Sequence, residues 1–199
     1  GKSSFLRTFA RQLREQCDPV TGAKMVVLDY RRSLLGSVEG DHLIGYASSG
    51  AQARDMVTEV AGVMAGRLPG PDVTTEQLRE RSWWRGPELY VLVDDYDLVA
   101  AGQPNPLLPL VEHLAQARDV GLHLLVTRRS GGAGRPLYEP LLMRLRELST
   151  SGIVMSGTKD EGALVGSVKP QPLPPGRGFL VTRREGTRLV QLAWEPPAR

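Results

Sequence analysis

The sequence is short of several things, and each shortage closes off a class of protein. It has one cysteine in 199 residues, Cys17. A disulfide scaffold and a Cys-rich zinc domain are therefore excluded, and a lone thiol fits a reducing compartment. No apolar run approaches the roughly 18 residues that span a bilayer, and no signal peptide is expected at the start. Lysine is scarce, with 4 against 21 arginines, and acids nearly balance bases, leaving a net charge of +3. That is far from the dense basic surface that phosphate-backbone binding needs. What is present is 41% hydrophobic residues, enough for a real core, on a length that suits one domain. Glycine and proline (22 and 15) exceed the average combined share of roughly 12% and predict many turns. The chain opens Gly1-Lys2-Ser3-Ser4 with no initiator Met, so it is expected to be a piece of a longer polypeptide.

Strand-like and helix-like segments alternate. Residues 4–16 place Phe5, Phe9 and Leu13 on one face and Arg7, Arg11 and Arg14 on another, an amphipathic helix stopped by Asp18-Pro19. Met25–Asp29 reads as a buried parallel strand ending in an acid, and His42–Tyr46 as another short strand. Helices are expected over 51–66, 75–81, 106–118, Pro136–Leu148 and Glu161–Val165, and strands over Leu89–Asp95, Leu122–Thr127 and Gly152–Ser156. The end reads as a hairpin with arms Phe179–Arg183 and Arg188–Trp194 around Glu185-Gly186. This order implies an α/β fold, one domain over 1–199, with a mostly parallel sheet covered by helices on both faces and a C-terminal antiparallel hairpin.

Gly1-Lys2-Ser3 before an amphipathic helix matches the back half of a P-loop, G-x-x-x-x-G-K-[ST]. Glycine lets the backbone approach phosphate, and free N–H groups at a helix N-terminus favour anions. The lysine can reach phosphates and the Ser hydroxyl can ligate Mg²⁺. Alone the tripeptide could equally be an exposed basic N-terminus. Tyr90-Val91-Leu92-Val93-Asp94-Asp95 adds what such a site needs, a buried strand tipped by acids. Asp94 is expected to serve Mg²⁺, and Asp95 stands where many such ATPases carry a water-activating glutamate. Thr127, at the end of the next strand, fits a polar contact between metal acid and γ-phosphate, or a turn cap. With Met25–Asp29 between them, these elements predict a Mg-ATP site of Gly1, Lys2, Ser3, Ser4 and Asp94, with Ser3 and Asp94 on the metal and Asp95 and Thr127 in catalytic positions.

The sequence resembles the FtsK/SpoIIIE class of P-loop motor ATPases, and within it the ATPase domains of the EccC family of type VII (ESX) secretion motors. The resemblance covers nearly the whole chain. It is carried by Val27-Leu28-Asp29-Tyr30-Arg31-Arg32, Trp83-Trp84-Arg85-Gly86-Pro87, Tyr90 to Asp97, Gly121 to Arg129, Met155-Ser156-Gly157, Asp160-Glu161-Gly162 and Leu173 to Gly178. The tail resembles the last of the tandem ATPase domains. The resemblance implies a RecA-like core, rings built with other ATPase domains (a hexamer among them), and membrane anchoring at the cytoplasmic face through other segments. It also implies partners among secretion-complex membrane components and recognition of helical secreted substrates through a C-terminal signal, rather than DNA. It places Pro175-Gly176 near the base of the nucleotide.

Two departures stand out against that family. The front of the P-loop and the strand before it are expected to precede residue 1. Asp95 is one methylene shorter than glutamate, and Arg128 sits where relatives often have glutamine. A positioned base is worth about 10²–10⁴ in rate, so weak or absent hydrolysis is expected from the domain alone.

Other features have plainer readings beside functional ones. Arg7, Arg11 and Arg14 read as a solvated face or a contact to a neighbour or polyanion. Arg118, Arg128, Arg129 and Arg144 are arginine-finger candidates, each also a plain surface or salt-bridging residue. Trp83-Trp84 reads as packing on its own domain or as a partner patch. Gly131-Gly132-Ala133-Gly134 reads as a flexible loop rather than a phosphate cradle. His42, His113 and His123 lack metal-ligand spacing, and Cys17 lacks a partner that would mark a nucleophile.

Overall fold

A computed structural model describes residues 1–102, 104–130 and 139–198. Helix α1 (Lys2–Gln16) forms because Phe5, Leu6, Phe9, Ala10 and Leu13 make one apolar stripe. The backbone is extended at Cys17, whose N–H still reaches Leu13 O. Strand β1 (Ala23–Leu28) and strand β2 (Leu43–Ala47) follow. Helix α2 (Gly50–Gly66) is capped by the Ser49 hydroxyl, and α3 (Thr75–Glu80) by a Thr74–Gln77 capping box. Then come β3 (Glu88–Val93), α4 (Tyr96–Val99), a 3₁₀ helix (Leu108–Gln116), α5 (Ala117–Val120) and β4 (Leu122–Val126). The last elements are α6 (Pro140–Glu147), β5 (Gly152–Met155), β6 (Arg177–Thr182) and β7 (Gly186–Gln191).

Four strands form a parallel sheet in the order β2-β1-β3-β4. Leu28 pairs with Val93 and Val93 with Val126, so the strands end level and Asp29, Asp94 and Thr127 emerge side by side. Alternation along the strands serves two cores. Met25, Val27 and Leu92 pack with Leu6, Ala10 and Leu13 of α1. Val26, Leu28, Val91 and Val93 face α2, the 3₁₀ helix and α6. Helices therefore cover both faces, as expected.

Three elements differ from the sequence expectation. Gly152–Ser156 does not extend the parallel sheet; β5 pairs antiparallel with β6, making the hairpin a three-stranded sheet, β5-β6-β7. The helix expected over Glu161–Val165 is one 3₁₀ turn, Lys159–Glu161, because Gly162 turns to φ +73° and Val165 bridges Val168 instead. The helix expected over 106–118 is mostly 3₁₀. Within Pro136–Leu148, residues 136–138 lie outside the described residues, as does the Gly131–Gly134 loop; Pro140 takes the first position of α6, where its missing N–H costs nothing.

The tryptophan pair packs on its own domain. Trp83 Nε1 donates to Arg67 O (2.7 Å) and Trp84 Nε1 to Asp119 O (2.8 Å), while the Arg67 guanidinium lies 4.2 Å from the Trp84 ring. Gly121, at φ +71°, leaves room for that ring; a Cβ there would lie 2.6 Å from it.

The arginine face of α1 is not simply solvated. Residues 193–198 cross it as a strap. Arg7 is buried and its guanidinium donates to Glu195 O through Nε (3.0 Å) and Nη2 (2.9 Å), and to Ser33 O through Nη1 (2.9 Å). Arg11 Nε pairs with the Glu195 carboxylate at 2.9 Å, and Ala198 N–H donates to Ser37 Oγ at 3.2 Å. Arg7→Ala leaves two carbonyls without their donor, and is expected to cost about 1–3 kcal/mol. Urea unfolding checks this, with faster hydrogen exchange over 193–198. Arg7→Lys should recover little, since an ammonium cannot reproduce the planar fork.

Candidate functional site at the carboxyl edge of the parallel sheet

The N-terminus of α1 meets the tips of β3 and β4. Ser3 Oγ donates to Asp94 Oδ2 at 2.6 Å, and Thr127 Oγ1 donates to Asp94 Oδ1 at 2.6 Å. Thr127 Oγ1 in turn accepts the Asp95 N–H at 3.1 Å. Asp94, Asp95 and Thr127 are all buried. Gly1 occupies the N-cap of α1, and no side chain caps the helix there. The first-turn N–H groups of this 15-residue helix thus point out beside the Asp94 carboxylate, with Lys2 on the same turn. A Cβ on Gly1 would meet the end of the Met155 side chain, which would have to swing aside to admit it.

Asp95 adopts the left-handed conformation (φ 51°, ψ 60°), which Asp tolerates better than most residues. Although it stands at the N-cap of α4, its carboxylate caps nothing. Oδ2 instead meets Arg31 Nε at 2.5 Å and Arg129 Nη2 at 3.7 Å. Arg128 pairs with Asp97 at 3.1 Å, and Arg144 with Glu147 at 3.0 Å.

Sequence reasoning gave no role to a second buried acid beside this site. Asp29 is fully buried at the tip of β1, where Oδ2 accepts the Leu34 N–H (2.7 Å) and the Tyr46 hydroxyl (2.7 Å) while Oδ1 has no partner among the described residues. Burial, then the hydrogen bond to Asp29, push the Tyr46 hydroxyl well above the ordinary phenol range, so it remains a donor. The signal was available, since Met25–Asp29 has the same apolar-run-then-acid pattern as β3. A further network links Tyr96 OH, Asn105 Nδ2 and the Glu139 carboxylate.

The predicted residues divide in placement. Ser3, Asp94 and Thr127 are joined directly, with Asp95 bonded to Thr127 through its backbone. The Ser4 hydroxyl turns away to the strap, donating to Glu195 O (3.2 Å) and accepting its N–H (2.9 Å). Pro175-Gly176 forms the turn into β6; Gly176 O accepts the Leu192 N–H at 2.8 Å, where the strap begins. Two of the three histidines tie neighbouring segments together: His42 Nε2 bonds Cys17 O (2.8 Å) and His123 Nε2 bonds Glu88 (2.7 Å).

The residues fit a magnesium-bound phosphate group. A hydroxyl and a carboxylate oxygen 2.6 Å apart are hard oxygen donors of the kind Mg²⁺ takes, and the uncapped helix start suits phosphate. A helix start facing the acid-tipped ends of parallel strands is the arrangement that P-loop folds share.

No protein-family model matches the chain. It is 53% identical over 194 residues to the ESX secretion system protein EccC of Thermomonospora curvata, covering 98% of this chain and 15% of that protein. It is 50% identical over 197 residues to the ESX-4 secretion system protein EccC4 of Mycobacterium tuberculosis, covering 99% of this chain and 16% of that protein. The chain thus spans about a sixth of the length of these relatives. The structure of T. curvata EccC ATPases 2 and 3 in complex with a signal sequence peptide superposes with TM-score 0.92 at 52% identity, over 98% of this chain and 35% of that one. A solved structure described as an ATPase superposes with TM-score 0.88 at 33% identity, over all of this chain and 77% of that one. The chain belongs to the EccC family of FtsK/SpoIIIE-like ATPase domains of type VII secretion.

Thr127→Val removes the hydroxyl that serves both acids. It is expected to lower stability by about 1–3 kcal/mol, because Asp94 and the Asp95 N–H stay buried without that partner. Chemical denaturation of the variant checks it.

Proposed function

We propose that this chain is a Mg-ATP-binding domain of a type VII protein secretion motor that hydrolyses ATP weakly or not at all alone. The supporting observation is the 2.6 Å contact between Ser3 and Asp94 at the uncapped start of α1. In this reading Lys2 and the first N–H groups of α1 hold the phosphates, and Ser3 and Asp94 hold the metal, which neutralises phosphate charge when bound. Thr127 fixes Asp94 and the Asp95 backbone. The weak turnover follows from Asp95, whose short carboxylate is drawn toward Arg31 rather than free for water. Pro175-Gly176, tied to the strap on α1, supports the base of the nucleotide.

Substrate recognition and motor assembly are part of the proposal. The T. curvata relative was solved with a signal sequence peptide, and we extend that to a helical secreted substrate read through its C-terminal signal. Other ATPase domains of the same motor are the assembly partners, in a ring. Among the described residues no helix is long and apolar enough to cross a membrane. Attachment at the cytoplasmic face of the membrane, beside the other components of the secretion complex, is therefore assigned to other parts of the polypeptide. The mild net charge of +3 disfavours the alternative of a DNA translocase. An interaction module with a vestigial nucleotide site is the second reading, favoured by the engaged Asp95 carboxylate.

Calorimetry on the full-length protein decides between these readings. Mg-ATP should bind, and Asp94→Asn should weaken it about tenfold or more, a loss of at least about 1.4 kcal/mol. Absence of binding points to the vestigial site. A turnover by this domain of about 1 s⁻¹ or more, the lower end of ordinary enzymes, would show that hydrolysis is not weak. Salt-dependent binding to duplex DNA would favour a translocase.

A further inference from the structure

We infer that Arg31 is a positioning residue that locks Asp95 away from water, so that low hydrolysis is imposed by a removable ion pair as well as by a short side chain. The inference rests on the nucleotide reading above and assigns that site a device within this chain.

The lock is built on a rigid base. Asp29, fully buried, holds the turn after β1 by accepting the Leu34 N–H, and Tyr46 holds Asp29. The turn is pinned on its far side by Leu34 and Val38, both buried against α1, and by Arg7 donating to Ser33 O. Between these anchors Arg32 takes a left-handed conformation (φ 58°), and Arg31 is presented to the tip of β3. There its Nε lies 2.5 Å from Asp95 Oδ2, with Arg129 Nη2 at 3.7 Å from the same oxygen. An Asp at an N-cap normally turns its carboxylate onto the following N–H groups. Here Asp95 makes no such bond, and its left-handed backbone accompanies a side chain committed to Arg31.

A carboxylate acts as a base or orients water only through an oxygen lone pair aimed at the water. An arginine N–H on that oxygen competes for the same electrons and holds the group in one direction. The Arg31 side chain is half exposed, whereas Asp95 is nearly covered. An ion pair with one solvated partner contributes little to stability. Its effect is therefore expected in rate and not in folding.

The test uses the full-length protein and Arg31→Gln, with Arg31→Lys as the conservative control. Arg31→Gln is expected to raise the domain's kcat for ATP about tenfold, part of the roughly 10²–10⁴ that a positioned base supplies. KM and the unfolding midpoint should stay unchanged, and Lys, keeping a cation, should restore most of the inhibition. An independent readout needs no nucleotide. Phenylglyoxal modification of Arg31, followed by peptide mass spectrometry, should be several-fold faster in Asp95→Asn than in the unsubstituted protein. Unchanged or lower kcat in Arg31→Gln with Mg-ATP binding intact overturns the lock alone, as does equal labelling of Arg31 in both proteins. Failure of the unsubstituted protein to bind Mg-ATP overturns the nucleotide reading, and the lock with it.

Discussion

The carboxyl edge of the parallel sheet is arranged around one buried carboxylate, that of Asp94. Taking such a group out of water is costly unless its oxygens find donors. Here each oxygen receives one hydroxyl, from Ser3 and from Thr127. The two donors and the acid come from three places in the chain that meet only if α1 packs beneath β1 and β3 and if β3 and β4 end level. Both donors are neutral, so they satisfy hydrogen bonding without cancelling the charge. The site is left with an attraction for a cation, beside a helix start with an attraction for anions. That pairing of opposite demands within one turn of helix is what a metal–phosphate ligand meets.

The parts legible in the sequence are those set by local pattern. The apolar run Tyr90–Val93 could only be a buried strand, and the acids after it had to lie at its tip. The stripe on α1 was equally plain, so Ser3 could be placed at a helix start. The clamp on Asp95 was not legible, because Arg31 and Asp95 are far apart in the chain and nothing in either neighbourhood announces the other. Arg7 read as surface, since helical periodicity set it opposite Phe5 and Phe9; only the returning chain end buries it. For Gly152–Met155 the run predicted a strand correctly, but four apolar residues carry no information about which strand they pair with or in which direction. The tryptophan pair was decided by Gly121 and Arg67, two positions with no sequence tie to it.

The scarcity of lysine also takes on a structural meaning. Arg7, Arg31, Arg67, Arg81 and Arg128 each spend their guanidinium on a carbonyl or carboxylate of the same chain. Arg7 and Arg67 each bridge two separate backbone segments, which a planar fork does and a point charge does not.

The strap also orders events in time. Ser4 and Glu195 are separated by 191 positions, yet they exchange both of their hydrogen bonds. A contact of that span carries a higher closure entropy than the local ones between them, and on the ribosome it cannot form until its second half has been made. During synthesis α1 is made well before residues 193–198 and gains its outer cover only when they leave the ribosome. Bracing of that helix is thereby tied to the arrival of residues 193–198; without them the strands would keep their pairing and the helix that carries Lys2 and Ser3 would lose its brace.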